Sequence, residues 1–327
     1  MGLLISIFFG FAPMFLYAAF IYWLDRYEKE PLLLLGGVFI WGAVVAAGGA
    51  YVINSTLGIG VFLVTGSQGI TTLTSGSLIA PIIEEGLKGF AVLLVFVFFH
   101  SEFDSILDGI VYASVAALGF AATENSFYIF SQGFQKTGWA GLGVMVFIRT
   151  LLVGFQHPFY TAFFGIGLAY ARLNKNITLK VLAPAGGLLT AILFHSIHNT
   201  LVVLNAGPLL CAFGILMDWS GCILMLFFTL WMVTQEQSIL STYLKDEIGN
   251  GTMTPILYKS AISTWRQTSE KFQSIGTSRY RTIDRYYSLC GELAHKKRQL
   301  ECFGEEQNNH EIIAALRSEM KDLLLII

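Results

Sequence analysis

Long apolar stretches alternate with short polar connections over the first 234 residues of the chain. About 20 consecutive apolar residues are needed to cross the hydrocarbon core of a bilayer. Seven stretches have this character, with approximate limits 3–24, 32–54, 77–99, 106–131, 142–171, 180–204 and 209–233. The segment 55–76 contains Gly, Ser and Thr throughout, which predicts a loop with a short interfacial piece, with a re-entrant turn as the alternative. The pattern therefore predicts an all-α polytopic membrane protein with about seven transmembrane helices.

The remainder of the chain has a different pattern. Residues 235–327 hold 24 of the 42 charged side chains. The apolar periodicity of "GELAHKKRQLECFGEEQNNHEIIAALRSEMKDLL" predicts two amphipathic helices around a polar turn at residues 304–309. We therefore expect two domains: a transmembrane helical domain, 1–234, and a small α-helical cytosolic tail, 235–327, that serves as an interaction or dimerisation module.

Composition supports the membrane class. The 327 residues are 54% hydrophobic and 13% charged, whereas an ordinary soluble domain is about 25% charged. The net charge of −2 gives no reason to expect a nucleic-acid partner. The four cysteines form no closely spaced pair, so neither a disulfide framework nor a cysteine metal site is expected.

Lysine and arginine in the short connections predict the orientation. Cytoplasmic connections of membrane proteins are enriched in these residues. The first and fifth connections and the tail are basic and fall on one side of a seven-span chain; the residues in the two connections are Arg26, Lys29, Arg172, Lys175 and Lys180. The N-terminus is then outside and the tail cytoplasmic. The first apolar run exceeds a signal-peptide core of about 7–15 residues, so we interpret it as a retained span.

Ionisable side chains inside the spans share a depth. At about 1.5 Å per residue, Glu84, Glu85 and Glu124 lie roughly 10–12 Å from the outer ends of their spans. On the same scale, His195 and His198 lie about 9–14 Å from the outer end of the sixth span. Charged groups at such depth are costly and usually mark a functional site. The agreement predicts one cluster in the outer half of the membrane.

Helical spacing adds further residues to this cluster. Lys88 is four residues from Glu84, and Asn199 is four residues from His195, so each pair shares a helix face. His157 lies deeper, roughly 22 Å from the outer end of its span at 1.5 Å per residue. Arg149, near the outer end of the fifth span, is expected to extend towards the interface.

Each polar group also has an ordinary structural explanation. The acid pair with Lys88 could form an ion pair that ties helices together, although one base leaves a carboxylate in surplus. Glu124 alone could bridge two helices, and His195 alone could be a packed polar residue. His157 precedes Pro158 and could cap a kink, and His198 could face a loop. The residues leave these alternatives open.

Four short motifs nevertheless follow one another on consecutive spans. "EEGLK", "FAATEN", "HPFYT" and "HSIHN", together with "DRYEKEP" after the first span, resemble the PrsW family of intramembrane proteases. That family is part of the wider superfamily of type II CAAX prenyl endopeptidases and bacteriocin-processing proteins, which are glutamate-type membrane proteases. The resemblance covers about residues 20–204.

The resemblance implies a role for each acidic motif residue. Glu84 matches the glutamate that activates water, and Glu85 is its neighbour in the paired motif. Lys88 occupies the basic position of that motif. Glu124 and Asn125 stand in the second motif, where the CAAX endopeptidases usually carry a histidine.

The later motifs imply the remaining site residues. His157 matches a histidine of the third motif, and His195 with Asn199 matches the pair associated with holding the oxyanion. His198 is a supporting residue. Peptide hydrolysis needs a base, an oxyanion stabiliser and a proton for the leaving amine. We predict an intramembrane endopeptidase with Glu84 as base, assisted by one or more of Glu85, Glu124 and His157.

Cofactors and partners follow less directly. We expect catalysis without a metal; a zinc site of Glu84, His157 and His195 is the alternative, since no HExxH motif dictates the geometry. The expected substrate is a single-span membrane protein or membrane-associated peptide, such as an anti-sigma-factor-like regulator, cut near the outer leaflet of a bacterial inner (plasma) membrane. A homodimer through the tail is also expected. The competing classes are an ion-coupled transporter, which would show inverted repeats, and a non-catalytic scaffold.

Overall fold

A computed structural model describes residues 1–204, 207–277, 279–305 and 308–327, without the side chains of Pro208 and Cys211. Every regular element in these ranges is helical. The α-helices are α1 Gly2–Leu24, α2 Leu32–Ile40, α3 Ala47–Thr65, α4 Gln68–Thr74, α5 Ala80–Phe98, α6 Ile106–Tyr128, α7 Gln135–Val146, α8 Gln156–Leu173, α9 Ile177–Val203, α10 Pro208–Tyr243, α11 Pro255–Ala261, α12 Thr264–Ser274, α13 Arg279–Phe303 and α14 Asn309–Leu324. The all-helical prediction is confirmed.

Five helical runs are long and apolar enough to cross a membrane within the described ranges. They are Gly2–Leu24, Leu32–Thr65, Ile106–Leu173, Ile177–Val203 and Ala212–Tyr243. Helix α5 is not among them because it carries Glu84, Glu85 and Lys88. The protein is an integral membrane protein, and the count of seven spans stays a prediction.

The predicted loop at residues 55–76 is wrong. Helix α3 continues to Thr65, and α4 follows after a turn at Gly66 and Ser67. The hydroxyls of Thr56 and Thr65 donate to the carbonyls of Val52 and Val61, at 2.9 and 2.8 Å. A hydroxyl that bonds back to the preceding turn is satisfied without water, so threonine is compatible with this helix.

The run Ile106–Leu173 is interrupted by a reversal. Thr137 and Gly138 depart from helical geometry within α7, and Gly138 has φ 66°. A positive φ is open to glycine at little cost, which explains the residue at this point. A second irregular stretch, residues 153–155, separates α7 and its π-helical extension from α8.

Helix α6 is central and buried along almost its whole length. Its start is fixed by a capping box: the Ser105 hydroxyl accepts from the backbone of Asp108, whose carboxylate accepts from the Ser105 backbone at 2.7 Å. Gly109 of α6 faces Gly165 of α8, and a Cβ added at Gly109 would lie 2.2 Å from the Gly165 carbonyl oxygen. Small residues thus let α6 and α8 approach closely.

The described helices form two compact units. The first contains Met1–Trp23 and Glu30–Thr229; the second contains Leu24–Lys29 and Leu230–Ile327. In the second unit α13 and α14 are the two helices predicted for the tail. The predicted turn between them includes residues 306 and 307, which lie outside the described ranges. The connection after α1 belongs to this second unit: Tyr27 is 1% exposed and its hydroxyl is bonded to that of Thr264.

Candidate active site

The acid pair of α5 is buried in the first unit, and its two members have different surroundings. Lys88 donates to Glu85 Oε1 at 2.5 Å, and the Thr161 hydroxyl donates to Glu85 Oε2 at 2.8 Å. Glu85 is 1% exposed and Lys88 is fully buried. The i,i+4 spacing placed Lys88 on the helix face of Glu84 but left open which carboxylate it holds; the ammonium contacts Glu85. Glu85 is therefore the anchored carboxylate of the two.

Glu84 makes far fewer contacts. Its Oε1 accepts from Asn54 Nδ2 at 3.3 Å. Its Oε2 makes no hydrogen bond to any residue that the structure describes, and it lies 3.7 Å from His195 Nε2. A buried carboxylate oxygen without a partner is costly in a purely structural role. Glu84 is thus the carboxylate of the pair that is left available for chemistry.

His195 connects the two glutamates. Its Nδ1 lies 2.8 Å from Glu85 Oε1. Because a carboxylate only accepts, Nδ1 carries a proton and donates to it. The Nε2 atom then faces Glu84 and is free to exchange a proton or to bind a ligand. This is the arrangement by which a carboxylate fixes the ring orientation of a functional histidine.

His157 joins the cluster from α8. Its Nδ1 lies 3.3 Å from Lys88 Nζ, and its Nε2 lies 3.0 Å from Glu124 Oε2. The ammonium can only donate, so Nδ1 accepts and Nε2 donates to Glu124. The rings of His157 and His195 are nearly perpendicular, with centroids 5.3 Å apart. The deeper position estimated for His157 does not separate it from the cluster.

Arg149 holds the second-motif residues, contrary to the prediction that it extends towards the interface. Its Nη2 contacts Glu124 Oε2, and its Nε donates to Asn125 Oδ1 at 2.9 Å. The guanidinium also lies over the Tyr128 ring, 4.6 Å from its centroid. Pairing is favoured over extension of Arg149 to the interface, because extension would leave Glu124 without its cation in apolar surroundings.

Two motif residues of α9 face other partners. Asn199 donates to the Gly76 carbonyl at 3.0 Å, and His198 Nδ1 lies 2.7 Å from Asp218 Oδ2. Asp218, on α10, is 1% exposed and also accepts from Gln156 and Tyr160. Sequence reasoning missed Asp218, although an aspartate inside the apolar run 209–233 was the signal that could have found it. It also missed the roles of Asn54 and Thr161, although Thr161 is the last residue of the third motif.

Three side chains of the site suit a metal ion. One ligand atom each of Glu84, His157 and His195 lies within 4.8 Å of the other two. Two histidines and one glutamate are a donor set of catalytic zinc sites. Glu84 Oε2 and His195 Nε2 are free to ligate, whereas His157 would have to release either Lys88 or Glu124. The residues present thus fit a divalent cation.

The helices and this buried acid–imidazole cluster define a membrane-embedded protein whose polar centre is built from several helices. A family model described as "PrsW family intramembrane metalloprotease" matches residues 30–233. The chain therefore belongs to the PrsW family of intramembrane proteases.

Similar proteins agree with this assignment. The chain is 30% identical over 186 residues to the protein named Protease PrsW of Bacillus subtilis (strain 168), covering 54% of this chain and 76% of the relative. It is 29% identical over 198 residues to Protease PrsW of Oceanobacillus iheyensis, covering 58% and 79%. The corresponding protein of Clostridioides difficile (strain 630) is 29% identical over 185 residues, covering 55% and 72%. No solved structure matches the chain.

Proposed function

We propose that this PrsW-family protease hydrolyses a peptide bond of a membrane-associated substrate with Glu84 as the water-activating base. The observation that carries the proposal is the difference between the paired glutamates. Glu85 has three polar contacts, whereas Glu84 Oε2 faces His195 Nε2 at 3.7 Å without a hydrogen bond to any described residue. A water or a scissile carbonyl placed there would meet a base and an imidazole together.

The neighbouring residues then have distinct tasks. Glu84 takes a proton from water and later delivers it to the leaving amine. His195 donates to the oxyanion when its Nε2 carries a proton, and Glu85 keeps the ring in this orientation. Asn199 has two N–H groups, of which one is used at the Gly76 carbonyl. The second would be available for the predicted oxyanion role. Glu124 orients His157, and Asn125 supports Arg149.

The metal alternative uses the same side chains. A divalent ion held by Glu84, His157 and His195 would lower the pKa of a bound water and polarise the scissile carbonyl. The family description and the fit of the donor set support this alternative, in which Glu84 would hold the metal instead of acting as the base. Elemental analysis of the purified protein tests it independently of activity. The metal alternative is supported if the wild type contains one equivalent of zinc or another divalent metal, and if this content is reduced in His195→Ala and unchanged in His310→Ala. Active protein without metal refutes it.

The membrane arrangement is also part of the proposal. The run Ile106–Leu173 would be about 100 Å long as a straight helix, and its reversal at Gly138 makes two spans of it. With α5 added, the five runs become seven. The packing of the connection Leu24–Lys29 into the same unit as the tail supports a common side for both. The basic residues of that connection and of the tail assign this side to the cytoplasm. The substrate is then cut near the outer leaflet.

The partners remain proposals of the same kind. A single-span regulator, such as an anti-sigma-factor-like protein, suits a site reached from within the bilayer. The glutamate-type mechanism of the CAAX endopeptidase superfamily applies if no metal is found. A tail-mediated homodimer is consistent with the exposed Trp265 and Phe272, which are 82% and 74% exposed. Substituting both by Ser should then lower the molecular mass of the purified protein in detergent.

The central test is Glu84→Gln, with Glu311→Gln on the exposed tail surface as the matched control. Membranes of cells that make either variant or the wild type are compared by quantitative proteomics. We expect at least one membrane protein to accumulate uncut with Glu84→Gln, at normal enzyme levels, and not with Glu311→Gln. Cleavage by Glu84→Gln at the wild-type rate would remove Glu84 as the base.

A further inference from the structure

A second buried polar cluster lies beside the proposed active site, in the same compact unit. Asp218 of α10 is at its centre and is 1% exposed. It accepts from Gln156 Nε2 at 2.5 Å, from the Tyr160 hydroxyl at 2.9 Å, and lies 2.7 Å from His198 Nδ1. None of the described Lys or Arg side chains forms a salt bridge with it. Three donors from two neighbouring helices therefore converge on one carboxylate.

One of these donors, Tyr160, is in direct contact with the active-site imidazoles. The Tyr160 ring is stacked on the His195 ring, with centroids 5.2 Å apart and planes 20° apart. It also meets His157 edge-on, with centroids 6.4 Å apart. Gln156 directly precedes His157 in the first turn of α8. Asp218 thus holds the side chain that packs against both imidazole rings.

We propose that Asp218 is a positioning residue of the active site, which acts by holding Tyr160 against His195 and Gln156 beside His157. This inference rests on the proposed function. Glu85 fixes His195 by a hydrogen bond at one ring edge, and Tyr160 restricts the ring from its face. A ring held on both sides keeps Nε2 directed at Glu84, and a misplacement of about 1 Å in such a group costs up to about a hundredfold in rate.

A plain structural tie between α8, α9 and α10 is the competing explanation. It predicts that loss of Asp218 lowers stability, with activity falling only as folded protein is lost. The positioning role predicts that kcat falls while folded protein remains and KM stays nearly constant. The two explanations therefore differ in a measurable way.

The experiment compares Asp218→Asn, Tyr160→Phe and the control Ser220→Ala in the full chain in detergent. Tyr160→Phe retains the stacked ring and loses only the hydroxyl bonded to Asp218. Ser220 lies on the same helix as Asp218, is exposed, and donates to the carbonyl of Leu216 in its own helix. The activity probe is the membrane protein that accumulates with Glu84→Gln, purified and supplied as substrate.

We expect Asp218→Asn to lower kcat at least tenfold while KM stays within twofold of the wild-type value. Tyr160→Phe should lower kcat less, and Ser220→Ala should leave kcat unchanged. NMR of histidine-labelled protein gives a readout independent of turnover. The ring signals of His157, His195 and His198 should shift in Asp218→Asn, while those of the remaining three histidines stay in place.

Unchanged kcat and unchanged His195 signals in Asp218→Asn would overturn the inference. If Asp218→Asn does not fold, Tyr160→Phe decides by the same two criteria. The proposed function has its own criterion, since Glu84→Gln must be inactive. An inactive Glu84→Gln with fully active Asp218→Asn and Tyr160→Phe would refute the positioning role alone.

Discussion

Replacing Lys88 by Met tests how the buried charges of α5 are balanced. The substitution keeps a long flexible side chain and removes the ammonium. Lys88 is fully buried and makes the shortest contact of Glu85, at 2.5 Å. Removing one partner of a buried ion pair costs about 3–5 kcal/mol, because the other charge stays buried without it. Glu85 keeps Thr161 and His195, so we expect the lower end, about 3 kcal/mol.

The double variant Lys88→Met/Glu85→Gln separates the charge effect from packing. With both charges gone, no unpaired ion is left in the interior, and stability should return to within about 1 kcal/mol of the wild type. Activity should not return, because Glu85 no longer fixes His195. Unfolding of the purified proteins by SDS in mixed micelles gives the free energies. Lys136→Met, at an exposed lysine, is the control.

Two results would contradict this reasoning. One is a loss below about 1 kcal/mol in Lys88→Met, since an unpaired buried carboxylate costs more than that. The other is a double variant whose loss equals the sum of the two single losses, since groups in direct contact are expected to be non-additive by about 0.5–3 kcal/mol.

Two further predictions concern helix packing and the tail. Gly109→Ala should destabilise the protein by about 1–3 kcal/mol in the same SDS titration, because the added Cβ would overlap the Gly165 carbonyl. The control Gly36→Ala should leave stability nearly unchanged, because a Cβ at Gly36 meets nothing within 4 Å. An equal loss of stability in both variants would refute the packing argument. In the tail, burial raises the pKa of Glu247, but hydrogen bonds led by that from Arg317 outweigh it and lower the pKa to about 2. Its stabilising effect is therefore complete above the unfolded-state value and is lost as the pH falls towards 2. The assay is labelling of the buried Cys290 thiol by dithiodipyridine in a protein with Cys290 as the sole cysteine. Labelling should accelerate as the pH falls over that range, and Glu247→Gln should be labelled faster than the wild type already at pH 7. Equal labelling rates at pH 7 would contradict this.

The sequence was most informative where charge and hydropathy conflict. Glu84, Glu85 and Glu124 stand out in apolar runs, and the depth argument predicted that they meet the imidazoles. The structure places Glu85 2.8 Å from His195. Which side chains pair depends on how each helix is rotated about its axis, and that rotation is set by close approaches between helices. Spacing alone therefore left open which glutamate Lys88 contacts.

Other residues escaped the sequence reasoning for related reasons. Arg149 lies near the end of a predicted span, where an arginine can extend outwards as readily as it can pair inwards. Only the three-dimensional position of Glu124 decides between these. Thr161 stands in the third motif but was assigned no role there, and Asp218 was passed over. The segment 55–76 was mistaken for a loop because threonine is also compatible with a helix when its hydroxyl donates to a carbonyl of the preceding turn.

The packing of Tyr27 into the tail's own unit affects any attempt to shorten this protein. A truncation that ends the chain after α10 would expose the buried ring and the backbone of Tyr27. This residue lies in the segment that joins α1 and α2. The shortened product would then carry a damaged linker near its beginning, and an inactive deletion would say little about whether the tail takes part in proteolysis. Exchanging the two segments together, as one graft between relatives, avoids that ambiguity.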